Sequence, residues 1–269
     1  MQLYYICKMR LFFLLSALFF IFSCGDYQKI LKSQDPEFKY TQALNYYNNE
    51  DYNKSLQLFE DILTDFSDLN RSEEVYYHYI YSNFYIKDYV SAAYHFSNFN
   101  LKFPFSDRNE ETAYMSAYCY YKQSPRYNLD QDNTYKAINV LQEFIYNYPA
   151  STRIDTINNL IFSLNNKLQT KTFEIVKLYY QTGKFSSAIY AADQFLNEFP
   201  ETSFLEEISF IQIKSYFELA KNSIEEKKSK RVKDAIFACD NFLLSFELGQ
   251  YNEEVKIVYE RLKEIENGL

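Results

Sequence analysis

The stretch Ala92–Pro104, AAYHFSNFNLKFP, decides the fold. It opens on a small residue, places apolar Phe99 seven positions on and aromatic Phe103 eleven on, and stops at proline. Four more copies share its register. They are Ser55, Ile62, Phe66; Ala137, Phe144, Tyr148, Pro149; Ala188, Phe195, Phe199, Pro200; and Ala235, Phe242, Phe246. Residues four and seven apart share one face of a helix, and proline cannot continue a helix. Each block therefore reads as a helix whose small residue allows close packing. Amphipathicity alone gives a 3.6-residue period within one helix. It does not put five helices in one register, with proline at the same place in three. The chain reads as a stack of similar units, and such stacks usually present a binding surface rather than a catalytic pocket.

The composition agrees. Among 269 residues there are only 4 Gly and 5 Pro, too few for the turns of a mostly β chain of this size. Tyr (28) and Phe (25) are abundant, and Trp is absent. AT-rich coding accounts for part of that excess, and binding surface is the other reading. A formal net charge of −8 argues against a nucleic-acid partner, which needs a basic stripe. The dense basic run Lys227–Lys233 follows Glu225 and Glu226 and reads as a solvated loop or helix end. His78 and His95 have no HExxH or Cys/His cluster around them and read as ordinary helix residues. Glu60 and Asp61 are adjacent, so on a helix they diverge and make no carboxylate pair. The doublets Glu73-Glu74, Glu110-Glu111 and Glu206-Glu207 sit near expected helix starts, where they meet the macrodipole favourably. No phosphate loop or nucleophile elbow appears, so no enzyme, cofactor, metal or small-molecule substrate is expected.

The block has the offsets of the second helix of a tetratricopeptide repeat, and the chain resembles that class. Ala92, Phe96, Phe99 and Pro104 follow its order, and an aromatic three before the anchor recurs as Tyr52, Tyr89 and Phe185. For the first helix, Ala43 with Tyr46 fits, Val176 with Tyr179 fits loosely, and Ile80 with Asn83 does not. The expected fold is all-α, a tetratricopeptide-repeat solenoid of five helical hairpins. Their ranges are about 36–67, 71–104, 108–149, 151–200 and 203–247, within 36–269, with a C-terminal helix over 251–266. The anchors are spaced more widely than the roughly 34 residues of the standard repeat. The excess falls in two insertions, Gln123–Asn133 and Lys221–Lys233, and in one extended helix over Ile154–Tyr180. Cys119 and Cys239 lie in helical stretches two repeats apart and read as buried free thiols.

At the N-terminus, Lys8 and Arg10 precede an apolar run, Leu11–Phe22, too short for the roughly 20 residues of a permanent span. It reads as a secretory signal, with translation starting at Met1 or Met9. Ile21-Phe22-Ser23-Cys24 resembles the bacterial lipobox, although Phe22 is bulkier than usual. Residues 1–23 are then a lipoprotein signal peptide. Cys24 carries the lipid, and 24–35 form a tether. Several acyl chains, at about 0.8 kcal/mol per buried CH₂, suffice for stable anchoring.

A lipobox followed by five such repeats is joined by two internal stretches, Asp130-Gln131-x-x-Thr134-x-x-Ala137 and Lys171-x-Phe173-Glu174-Ile175-x-Lys177-Leu178-Tyr179-Tyr180. Together these resemble the BamD family, tetratricopeptide lipoproteins of the outer-membrane β-barrel assembly machinery, in a Bacteroidetes-like member. The resemblance covers nearly all of the mature chain. It implies a lipid anchor in the outer membrane on its periplasmic face, contact with a BamA-like barrel subunit, and receipt of unfolded barrel precursors through an aromatic-rich C-terminal signal. First helices build the concave wall in this repeat class. The inward positions are Tyr40, Leu44, Tyr47 and Asn48 in the first unit, and Tyr77, Tyr81, Phe84 and Tyr85 in the second. Most are aromatic and suit an extended aromatic peptide; the competing reading is that they are core. The expected function is a non-enzymatic scaffold and precursor receptor. The alternative is another periplasmic tetratricopeptide lipoprotein, such as an adaptor for peptidoglycan or polysaccharide machinery.

Overall fold

A computed structural model describes residues 24–268, and among them every regular element is helical. Residues 1–23, expected as the signal peptide, and Leu269 lie outside the described residues. The helices are α1 (Cys24–Leu31), α2 (Pro36–Asn48), α3 (Tyr52–Asp61), α4 (Leu69–Tyr85), α5 (Tyr89–Lys102), α6 (Asn109–Gln123), α7 (Asp132–Asn147), α8 (Ile154–Gln181), α9 (Phe185–Glu198), α10 (Leu205–Lys221), α11 (Glu225–Ser245) and α12 (Asn252–Asn267). From α2 to α11 they pair in sequence as five hairpins, an all-α tetratricopeptide-repeat fold.

The block explains the pairing. Ser55, Ala92, Ala137, Ala188 and Ala235 are all fully buried. A small side chain there lets the second helix lie close against its first helix, and Ser55 and Ser82 touch through their hydroxyls at 3.3 Å. The apolar residue seven on is buried in every copy: Ile62, Phe99, Phe144, Phe195 and Phe242. The backbone N–H of Phe103, Phe199 and Phe246 returns to the carbonyl four residues back, closing α5, α9 and α11. Asp35, Asp51, Asp68 and Asp88 cap α2, α3, α4 and α5 by accepting a backbone N–H. The first, second and fourth hairpins turn through a left-handed residue at the same place, Glu50 (φ 61°), Lys87 (φ 67°) and Gly183 (φ 72°).

The chain divides into two compact units. One runs to Ser124 and adds Tyr135–Ile157. Its core centres on Leu58, Phe59, Ile80, Phe96 and Phe99. Residues 24–35, expected as a tether, contain α1, and α1 docks on the first hairpin. The Tyr27 hydroxyl donates to Gln57 Oε1 (2.9 Å) and Lys54 O (3.1 Å), and its ring meets Tyr46 edge-on at 5.5 Å. Tyr27, Ile30 and Leu31 share a helical face that packs against this core.

The other unit joins Pro125–Thr134 to the chain from Asn158 onward. One core gathers Phe173, Val176, Ala192, Phe195 and Ile208; a second gathers Phe210, Ile213, Val232, Phe242, Val255 and Leu262. Here the basic run Lys227–Lys233 is helical. α11 begins about two turns earlier, relative to its anchor, than α3, α5 and α9 do. Cys119 and Cys239 are free and buried, and burial pushes both thiols up to about 12, so they stay protonated and unreactive.

Candidate functional site

Tyr40, Tyr77 and Tyr114 recur at equal intervals on α2, α4 and α6, and each has an arginine over its ring. Arg71 lies 4.3 Å from the Tyr40 centroid, Arg108 4.3 Å from Tyr77, and Arg153 4.6 Å from Tyr114. For the latter two, the chain leaving each second helix supplies the latch. Past Pro104, Ser106 Oγ accepts the Arg108 N–H (3.1 Å) and donates to Glu73 Oε1 (2.8 Å), and Arg108 reaches Glu74 at 2.7 Å. Past Pro149, Ser151 Oγ accepts the Arg153 N–H (3.1 Å) and donates to Glu110 Oε1 (2.6 Å). The second unit repeats the pattern after Pro200. Thr202 accepts the Phe204 N–H and donates to Gln169, and Phe204 stacks on Phe173 at 4.5 Å.

Beside this row, one carboxylate gathers two phenols. The Tyr77 hydroxyl donates to Glu111 Oε1 at 2.9 Å, and the Tyr81 hydroxyl donates to the same oxygen. Their rings lie 4.7 Å apart, and Tyr81 also meets buried Phe96 edge-on at 5.1 Å. Toward the far end of α4, Tyr85 stacks on Tyr52 at 4.4 Å, and Tyr47 stands 5.4 Å from Tyr52 and 6.0 Å from Tyr85. Phe84 reaches Tyr118 of α6 at 6.2 Å. Tyr114, Tyr118 and Tyr121 then stack in sequence at 6.0 and 5.9 Å, with Lys122 over Tyr118 at 5.3 Å.

The expected residues thus separate by depth. Tyr40 and Tyr81 are each only 8 % exposed. Tyr40 faces Phe59 and Phe66 within the first hairpin, whereas Tyr81 keeps its hydroxyl on Glu111 at the face. Leu44, Tyr47, Tyr77 and Phe84 are half-buried. Tyr85 and Asn48 are exposed, Asn48 at the end of α2. Tyr114, Tyr118 and Tyr121 were missed, yet their spacing from Tyr77, Tyr81 and Phe84 repeats that of the first two units. Arg108 and Arg153 were missed as well; the repeated Pro-x-Ser-x-Arg was their signal.

Burial pushes Tyr77 up to about 12, and Tyr47 and Tyr81 higher still, so these phenols remain neutral donors. Burial also lowers His78, whose Nδ1 is 2.8 Å from the Glu74 carbonyl. That contact makes Nδ1 the protonated nitrogen of a neutral ring. Among the described residues no group of His, Cys, Asp and Glu is arranged to hold a metal ion, and none of the described helices is long and apolar enough to cross a membrane. The face offers ring surfaces, phenol edges and bordering cations, which suits contact rather than bond-making chemistry.

The two internal stretches also have physical roles. Gln131 is buried, and its Nε2 donates to the carbonyls of Arg126 (2.8 Å) and Leu129 (2.9 Å), while its Oε1 accepts from Thr134 Oγ1 (2.7 Å). It folds the 125–134 insertion onto itself at the start of α7. Lys171 Nζ donates to the Leu129 carbonyl (2.8 Å), and Lys177 lies over Phe173 at 5.0 Å.

Comparison with known proteins follows the same lines. The chain is 28% identical over 283 residues to the putative outer membrane protein assembly factor BamD of Aquifex aeolicus, covering 97% of this chain and 91% of that one. A crystal structure of a TPR repeats protein from Bacteroides fragilis overlaps 87% of this chain and 100% of its own at 15% identity, with a TM-score of 0.39, too low to bear on the fold. The family described as "YfiO: Outer membrane lipoprotein" matches residues 32–232 and 169–268, and the chain belongs to that family.

Proposed function

We propose that the chain is a non-enzymatic scaffold and precursor receptor for the assembly and insertion of outer-membrane β-barrel proteins. Cys24 carries the acyl chains and anchors the protein in the outer membrane, with the repeats on the periplasmic face. One partner is a BamA-like barrel subunit, and the other is an unfolded barrel precursor. The reading is supported by family membership and by the assembly role in the name of the Aquifex aeolicus relative. The receptor part rests on one observation, the tyrosine face running across α2, α4 and α6. Rigid aromatic rings give large contact area at low entropic cost, which an extended aromatic peptide can use.

Two measurements test it. Pull-down from detergent-solubilised outer membranes should recover a BamA-like barrel protein; its absence removes the scaffold reading. Crosslinking to a peptide from a barrel precursor's C-terminus should weaken about tenfold for Tyr85→Ala with Tyr118→Ala, as for a pair of hot-spot rings. Unchanged crosslinking would remove the receptor reading.

A further inference from the structure

The run Lys227–Lys233 belongs to the other unit and has no part in the tyrosine face. It packs Lys227, Lys228, Lys230, Arg231 and Lys233 into seven residues of a chain with net charge −8. All five lie in the first three turns of α11, and Lys227 and Lys228 lie in the first, where the helix macrodipole favours anions over cations. The protein neutralises few of them. Lys228 pairs with Glu225 at 3.3 Å, and Arg231 donates to the Ser223 hydroxyl at 2.7 Å. Lys227, Lys230 and Lys233 are exposed, with no carboxylate within 4.0 Å among the described residues.

Two of these cations, Lys227 and Lys230, border a groove of about 370 Å³ between the end of α10 and the early turns of α11. Half-buried Tyr216 and Leu219 supply its apolar lining, and Lys227, Lys230 and Arg231 line it alongside them. Glu226 and Asp234 also border it, so the charge alternates rather than forming one positive sheet.

We propose that this groove docks an acidic peptide segment of a partner protein, with an apolar side chain against Tyr216 and Leu219 and carboxylates on Lys227 and Lys230. Charge complementarity selects the acidic segment. An opposite charge brought to Lys227 and Lys230 relieves their mutual repulsion, and at Lys227 also its conflict with the macrodipole. Groove shape selects a peptide over a bilayer. Tyr216 and Leu219 are half-buried in the groove lining, within reach of a single side chain, and Glu226 and Asp234 beside the cations disfavour a uniformly anionic surface more than a segment whose carboxylates are spaced. The inference does not depend on the function proposed above.

The test uses the mature chain and a fluorescein-labelled peptide of three Glu-Glu-Phe repeats, read by fluorescence anisotropy. The peptide should bind, and binding should weaken with salt. Lys227→Glu and Lys230→Glu together should weaken it at least about tenfold. Because both positions are exposed and an acidic residue suits the first turn at 227, the urea midpoint of the variant should not fall. Exchanging the peptide's Phe for Ser should weaken binding severalfold, showing that the groove is used. Equal binding by wild type and the double variant, or equal binding of the Phe and Ser peptides, overturns the proposal. So does lysine-dependent binding to phosphatidylglycerol vesicles in place of the peptide.

Discussion

Glu111→Ala should unfasten the tyrosine face, and the cost can be built from its bonds. Glu111 lies in the first turn of α6, where a carboxylate gains about 0.3–1 kcal/mol from the macrodipole. It accepts two phenol hydroxyls. Tyr81 is buried, so its hydroxyl loses its acceptor without access to bulk water, at about 1–3 kcal/mol. Tyr77 is half-buried and recovers water, so its loss is about 0.5 kcal/mol. The total is about 2–4 kcal/mol, or roughly 5–12 °C in the melting temperature of the N-terminal unit. Tyr81→Phe alone leaves Glu111 bonded to Tyr77 and open to water, and should cost under about 1 kcal/mol. If the two side chains act as one unit, Tyr81→Phe in the Glu111→Ala background removes the stranded hydroxyl and restores about 1–2 kcal/mol. The assay is a double-mutant cycle by urea denaturation, followed by far-ultraviolet circular dichroism. Simple additivity, with a coupling energy near zero, refutes the shared-carboxylate account.

Three further outcomes follow from the same structure. His78 and His95 are both lowered by burial, so the folded chain holds them neutral. Their stabilisation is complete above the unfolded value near 6.5 and is lost as pH falls below it, by at most about 1.4 kcal/mol per pH unit for each ring; urea midpoints at pH 7.5 and 5.5 should differ less in His78→Gln. Gln131→Ala strands the carbonyls that its amide serves and should open the 125–134 insertion, cost about 2 kcal/mol, and raise the rate of tryptic cutting at Arg126. Lys87→Gly should stabilise the second hairpin by up to about 1 kcal/mol, since Lys87 holds a left-handed conformation that glycine adopts freely, and Gly183→Ala should cost about the same; a fall in midpoint for Lys87→Gly would contradict the turn geometry.

The second helices were legible because one constraint, close approach to a first helix, acts at the same offset in every hairpin. A small residue at Ser55 or Ala188 is needed wherever the rest of the unit varies. The first helices carry no such single constraint. Ile80 and Asn83 depart from the repeat pattern, and both are still buried, Asn83 because its amide donates to the Tyr79 carbonyl at 3.0 Å. The docking of α1 was hidden by brevity, since eight residues give barely two turns of periodicity. The basic run was ambiguous for another reason. Its helical conformation is set by continuity with the buried residues Val232, Ala235 and Ile236, which charge patterning alone does not reveal.

The tyrosine face shows why a register found in sequence separates wall from core only partly. Residues four apart on α4, Tyr77 and Tyr81, lie on one side of the helix, yet they differ in depth because α5 sets Phe96 5.1 Å from the Tyr81 ring but Phe99 6.5 Å from the Tyr77 ring. Truncating that pair would remove core packing worth roughly 3–5 kcal/mol for a buried ring, and a resulting loss of peptide binding would say nothing about recognition. The informative positions are the outer rings, Tyr85 and Tyr118, which can be shortened while the Glu111 bonds stay intact. The same geometry accounts for tyrosine over phenylalanine at the centre of the face. A phenol can pack its ring inward and still be pinned by its hydroxyl, and burial keeps Tyr77 and Tyr81 in the donating form. Two such phenols on one carboxylate, with Arg108 over the Tyr77 ring, hold the rings in place before any ligand arrives. On the receptor function proposed above, a peptide meeting the face would not bear the entropic cost of ordering it, which is the condition under which a shallow aromatic surface binds an unfolded segment with useful affinity.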